Sequence, residues 1–265
     1  MKPPTIIVCI KDIPDPEGPR SAYEIRSDEK RVVPIGIPPV INPYDENALE
    51  LTMRLKDRWG GRVIALNMCE KAVLPVLKKA LSVGADELIL LEDQAFRNLT
   101  SYATAWVLSA AIRKIGDYDL VVTGRQAADW DAGQVGLLLA GILELPGINL
   151  VQSAEIEGGT IIAERLTRTG HETVMAPLPA LITVSSEVGD LRLATIKAIQ
   201  DAKKKSVTKW GAADLSLDFA LLRSRVIRSL TPPPPPSRHC HFIEGKTSEE
   251  KAENLAARLR RDKVI

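Results

Sequence analysis

Asp119-Leu-Val-Val-Thr-Gly-Arg-Gln-Ala-Ala-Asp-Trp-Asp-Ala-Gly-Gln-Val-Gly136 reads as a strand, a glycine-spaced loop and the start of a helix. The first five residues are a short apolar, β-branched run of the kind buried on both faces of a parallel sheet. From Val135 onward the apolar residues fall at helical spacing, through Leu138, Leu139 and Ile142. The same alternation surrounds this unit. Thr5–Ile10, Arg62–Met68 and Glu87–Leu91 read as further buried strands. Helical faces lie between them, from about Asp45 to Arg58, over Val73 to Leu81, and from Tyr102 to Ala111. Strands alternating with helices of this length imply right-handed crossovers and a mainly parallel sheet with helices on both faces, an α/β, Rossmann-like fold.

After Leu150 the pattern changes. Residues 153–157 and 160–166 flank Gly158-Gly159 and predict a hairpin. A third run at 172–176 extends it, and Pro179–Val184 returns to a buried strand. These readings give an α/β domain over residues 1–205, with the hairpin region at 151–177. Residues 206–265 form an arm that holds the basic run Leu221–Arg228 and the prolines Pro232–Pro236. The arm ends in a helix near Ser248–Arg261, capped by Thr247 or Ser248 and apolar along Ala252, Leu255, Ala256 and Leu259. Such a stripe needs a surface, either the chain's own core or a partner, and the long arm favours the partner.

Composition excludes several classes. Over 265 residues the charges nearly cancel at net +1, so no global field draws the chain to nucleic acid or an anionic membrane. Aromatic residues make up 4%, too few for a base-stacking platform. The three cysteines, Cys9, Cys69 and Cys240, form no CxxC, which fits a reducing compartment such as the cytoplasm. No apolar run is long enough to span a membrane. His239-Cys240-His241 alternates in direction along an extended arm with no fourth ligand nearby, so no metal site is expected.

Ligands of parallel sheets sit beyond the carboxyl ends of the strands. There the loop Gly124–Gly136 offers glycines for close backbone approach and a helix N-terminus that favours phosphate. It is neither GxGxxG nor a Walker loop, since no Lys-Ser/Thr follows. Asp129 and Asp131 would repel a phosphate at close range, so capping, loop-holding or a ribose hydroxyl are their candidate roles. On these grounds alone a nucleotide site and an ordinary βα loop fit equally well. At the other strand ends lie Cys9 with Lys11, Met68 with Cys69, and Val40-Ile41-Asn42-Pro43-Tyr44-Asp45. Asn42 could bond a base or ribose edge, and Asp45 could cap the next helix.

With these pieces in order, the chain resembles the β subunit of electron transfer flavoprotein. The resemblance rests on Lys11 after the first strand, residues 41–50 ending at Glu50, Lys79–Asp86, Asp119–Asp129 with Gln134–Gly136, Leu178–Val184, Arg192–Thr195 and Ala202–Lys205. It implies a heterodimer with an α subunit that holds most of one FAD. It implies an AMP, or a second FAD, in this subunit. It also implies electron flow from flavin dehydrogenases, such as acyl-CoA dehydrogenases, to a quinone oxidoreductase or another acceptor. Carried over residue by residue, the nucleotide site comprises Cys9, Asn42, Pro43, Tyr44, Asp45, Met68, Gly124, Arg125, Gln126, Ala127, Asp129, Asp131, Gly133, Gln134, Val135 and Gly136. Residues 185–205 match the recognition loop, with Ile196 at the position that anchors in a dehydrogenase; a core position is the alternative for Ile196. No catalytic residue is implied.

The chain departs from the family pattern at Cys69-Glu70, where Gly-Pro is usual, and at Gly189-Asp190-Leu191-Arg192, where Glu-Pro-Arg is common. Asp201 also precedes the lysines where basic character is frequent, so the dehydrogenase partner need not be the common one. A stand-alone nucleotide-binding enzyme or ATP sensor of similar topology is the competing reading.

Overall fold

The computed structural model describes residues 2–28, 30–217, 224–232, 234 and 240–265. The start of the basic run (221–223), three of the five consecutive prolines and His239 therefore lie outside the described residues. The chain forms two compact units, Met1–Leu230 and Thr231–Ile265.

In the first unit β1 (Thr5–Ile10) is followed by β2 (Asp12–Ile13), a hairpin of β3 (Tyr23–Arg26) and β4 (Arg31–Pro34), and β5 (Val40–Ile41). Then come α1 (Pro43–Trp59), β6 (Arg62–Cys69), α2 (Leu74–Leu77), α3 (Lys79–Val83) and β7 (Glu87–Glu92). Next are α4 (Ser101–Ile115), β8 (Leu120–Gly124) and α5 (Val135–Leu143). The antiparallel run β9 (Gly147–Glu157), β10 (Thr160–Thr167) and β11 (Gly170–Pro177) precedes β12 (Ala180–Val184), α6 (Ile196–Lys204) and β13 (Thr208–Trp210). The main sheet has the order β11-β10-β9-β12-β8-β1-β6-β7-β13, parallel from β9 through β13.

Each central strand buries both faces, which is why its sequence reads as an unbroken apolar run. Ile6, Val8 and Ile10 of β1 pack with Ala48, Leu49 and Leu77 on one side. Ile7 and Cys9 pack with Ala103, Val107 and Leu139 on the other. The α/β fold and the hairpin region are as the sequence implies. Two details differ. The helix expected over 73–81 is two short ones meeting at Lys78, whose ψ of −10° opens the turn between them. The first unit also runs past residue 205, because Thr208–Trp210 adds a parallel edge strand to β7.

The second unit contains α7 (Ser248–Arg261), capped by Thr247 Oγ1, which accepts from the Glu250 N–H at 3.2 Å. None of its residues is buried, and Leu255 is 44% exposed. Among the described residues no helix is long and apolar enough to cross a membrane.

From β1 the chain builds outward through β6 and β7, then crosses back to place β8 on the other side of β1. The switch point of the sheet is therefore the crevice between the carboxyl ends of β1 and β8, where open α/β sheets receive ligands.

Candidate functional site

A cleft of about 420 Å³ opens at that crevice. This is within the range of small-molecule sites. Its floor is pinned by Asp45, in the first turn of α1. One carboxylate oxygen accepts the Lys11 N–H, just past β1, at 2.8 Å; the other accepts the Gly124 N–H, at the end of β8, at 3.2 Å. Asp45 therefore ties two strand ends together and does not cap α1, whose N-cap Asn42 makes no side-chain cap bond either. Burial pushes the Asp45 carboxyl up to about 7, although the two N–H donors and Lys11 pull it down. Gly124 must be glycine at this junction, because a Cβ would stand 2.4 Å from Asp45 Oδ1 and 2.6 Å from the Tyr44 carbonyl carbon.

Asn42 is fully buried and spent on the loop above. Its amide donates to the Gln126 carbonyl at 2.8 Å, and its side-chain oxygen accepts the Ala128 N–H at 3.1 Å. A base or ribose edge is therefore not its partner, in contrast to the sequence expectation. Pro43 and Tyr44 do not line the cleft; the Arg125 guanidinium lies over the Tyr44 ring at 4.7 Å.

The loop aspartates resolve in the same way. Asp129 pairs with the Lys11 ammonium at 2.5 Å, and Asp131 accepts from the Gln126 amide at 2.8 Å. Neither lines the cleft. Of their three candidate roles, the geometry gives loop-holding, with Asp131 itself in the left-handed region at φ 49°. Gly133 turns the loop at φ 60°. Gly136 serves packing: a Cβ there would meet Thr123 Oγ1 and Thr183 Cγ2, both at 2.6 Å, so α5 seats closely on the strand ends.

The residues that do face the cleft are Cys9, Asp45, Met68, Gly124, Arg125, Gln126, Ala127, Gly133, Gln134, Val135 and Gly136. Two features fit an anionic nucleotide. The N-terminus of α5 lines the cleft through Gln134, Val135 and Gly136, and its orphan amides have no side-chain cap. In addition, Arg125 Nε is buried without an acceptor. Burial pushes the thiols of Cys9 and Cys69 up to about 12, which disfavours the thiolate form of these two.

The cleft also takes residues that the sequence reading did not assign individually. Arg31 comes from β4, Arg97 and Asn98 from the connection after β7, Trp130 from the loop tip, and Arg225 from the segment that follows the sheet. Arg97 and Asn98 were within reach of the rule that ligands sit past strand ends. Nothing local marks Arg31 or Arg225, because their place is set by tertiary return of the chain.

Ile196 lies elsewhere, at the start of α6, and is 78% exposed beside Leu193 at 96%. A core role is thus excluded. The segment before it is clamped by Arg192. Its guanidinium and backbone N–H bond the buried Glu50 carboxylate at 3.0 to 3.2 Å, and Nη1 reaches Asp57 at 2.7 Å. Thr195 caps α6, and Lys78 Nζ bonds the Lys203 and Lys205 carbonyls at its far end.

The family model for the electron transfer flavoprotein domain matches residues 32–215. The chain is 38% identical to electron transfer flavoprotein subunit beta of Thermoanaerobacterium thermosaccharolyticum, over 98% of this chain and 99% of that one. It is 34% identical to the caffeyl-CoA reductase-Etf complex subunit CarD of Acetobacterium woodii, again over 98% and 99%. It is 35% identical to Protein FixA of Bradyrhizobium diazoefficiens, over 80% and 75%. A parallel sheet with a cleft at its switch point, joined to full-length similarity of this kind, settles the assignment: the chain belongs to the electron transfer flavoprotein family, as a beta subunit.

Proposed function

We propose that this chain holds an adenine nucleotide in the β1/β8 cleft and pairs with an α subunit that carries the electron-transferring FAD. The uncapped head of α5, lining one cleft with Arg125 and its acceptorless Nε, is the observation that carries this reading. The amides and the guanidinium would hold the phosphate, while Asp45, Asn42 and Lys11 keep the cradle rigid. Bound flavin supplies the redox chemistry; the residues of this chain bind, orient and exclude water.

AMP satisfies this cradle. A second FAD is favoured by one observation, the span of the cleft. It runs from the β8 loop to Arg97 and Asn98 after β7, three strand spacings away, or roughly 14 Å. Arg31, Arg97 and Arg225 add cationic walls along it, suited to a dinucleotide.

The exposed Leu193 and Ile196, presented on a segment fixed at both ends, suit an apolar pocket on a flavin dehydrogenase. The name of CarD ties an Etf to caffeyl-CoA reductase in that relative, which supports a dehydrogenase acting on acyl-CoA substrates here. A quinone oxidoreductase is the proposed acceptor, and the apolar stripe of α7 is proposed to dock on the α subunit.

Co-expression with the α subunit tests the assembly. A yellow heterodimer that passes electrons from a flavin dehydrogenase to an acceptor dye is expected. A colourless, self-sufficient chain that turns over ATP would replace this proposal with a stand-alone enzyme.

A further inference from the structure

Arg225 lies far in sequence from the nucleotide loop, yet its side chain forms part of the cleft wall. Its position is fixed by the backbone. Ser224 forms an antiparallel bridge with Leu99, and the Arg225 N–H donates to the Asn98 carbonyl at 2.6 Å. This segment is thereby sewn onto the connection that follows β7. From there the Arg225 guanidinium crosses to the opposite wall and stacks over the Trp130 ring, 4.3 Å from its centroid. Trp130 is at the tip of the loop after β8 and is 49% exposed. The cation–π contact therefore joins the two walls of the cleft.

Among the described residues no carboxylate pairs with Arg225, and the acids that line the cleft have other partners: Glu70 with Arg97 at 3.7 Å, Asp12 with the Asn67 amide at 3.4 Å, and Asp45 with the Lys11 and Gly124 N–H groups. The cation–π contact holds the guanidinium over the indole, and among the described residues none of its N–H groups meets a carboxylate. Those N–H groups are the ones through which arginine grips a phosphate. A half-buried arginine that lines a cleft, held by an indole and without a carboxylate partner among the described residues, is arranged for an anion inside that cleft.

We propose that Arg225 is a ligand-binding residue of this site, gripping a phosphate group of the bound nucleotide, with Trp130 as the positioning residue that holds its guanidinium. The assignment rests on the nucleotide reading above and extends the site to the chain segment beyond the sheet. The clasp joins the β8 loop to the segment that follows the sheet.

Equilibrium binding of AMP, FAD and adenosine to the full chain tests this, because adenosine lacks the phosphate. Arg225→Ala is expected to weaken AMP or FAD by about ten- to a hundredfold, the worth of a charged hydrogen bond, and to leave adenosine unchanged. Arg225→Lys retains charge without the planar fork and falls between. Trp130→Leu is expected to give a smaller loss for the phosphorylated ligands, about two- to fivefold. Wild-type binding of AMP and FAD that Arg225→Ala leaves intact would overturn the assignment while the nucleotide reading stands. An equal loss for adenosine would also overturn it, by showing a structural role. If wild type binds none of the three, both the assignment and the nucleotide reading fail.

Discussion

Asp45 and Gly124 meet at 3.2 Å, carboxylate to backbone N–H, and this contact joins the head of α1 to the end of β8 at the sheet's switch point. The same carboxylate holds the Lys11 N–H beyond β1, so one side chain sets the separation of the two strand ends that frame the cleft. Its folded-state pKa of about 7 lies well above the ordinary value of 3.8. Between these values the folded protein keeps the proton and the unfolded chain has lost it. The contribution of Asp45 to stability therefore falls as pH rises from about 4 to about 7, at up to ~1.4 kcal/mol per pH unit, and is flat above. Asp45→Asn removes this component. The melting temperature of the variant minus that of wild type should rise across that window; a difference independent of pH would show that Asp45 does not titrate there.

Two glycines of α5 should respond in opposite directions. Gly136→Ala drives a methyl to 2.6 Å from Thr123 Oγ1 and Thr183 Cγ2 and should destabilise by about 1–3 kcal/mol in urea unfolding. Gly141 lies in the same helix, where a Cβ would meet nothing within 4 Å, so Gly141→Ala should stabilise by about 0.5–1 kcal/mol. Equal effects at both sites would contradict the close seating of α5.

Asn42→Asp is a sharper probe than deletion. It keeps the acceptor for Ala128 but turns a second acceptor toward the Gln126 carbonyl, in a fully buried position. A loss of about 2–4 kcal/mol is expected, together with weaker nucleotide retention through a loosened loop. Retention and stability equal to wild type would show that Asn42 is not the tie.

Glu50 is 5% exposed and gathers four hydrogen bonds from Arg192 and Arg54. Burial pushes its carboxyl up, but the Arg192 bonds outweigh this and hold it below the usual range, so the clamp contributes stability above about pH 4.5 that is lost on acidification. Glu50→Gln should speed amide exchange over residues 189–195 and slow electron transfer with a dehydrogenase. Ile196→Ala should slow the transfer while leaving unfolding within about 0.5 kcal/mol of wild type. A transfer rate unaffected by both variants would remove this surface from the docking account.

The strands and long helices were legible because both-face burial writes continuous apolar runs, as in Leu120–Val122, and one-face burial writes helical spacing, as in α4. The cleft's location followed from topology alone. The division of labour within it did not. Asn42, Asp129 and Asp131 carry the chemistry of ligand contacts but hold the loop, because their partners are loop backbone groups, the Gln126 amide and a lysine 118 positions away. Arg225 was hidden for the converse reason: it reads as one charge in a basic run until the bridge to Leu99 brings it back.

The central claim, a nucleotide gripped at the β1/β8 crevice, is tested most directly by acid extraction of the co-expressed heterodimer, with released nucleotides identified by mass spectrometry and counted per complex. One adenine nucleotide beyond the FAD of the α subunit is the predicted result, present as AMP or as a second FAD and lost in Arg225→Ala on gel filtration. A wild-type complex that carries its single FAD and nothing more would contradict the account.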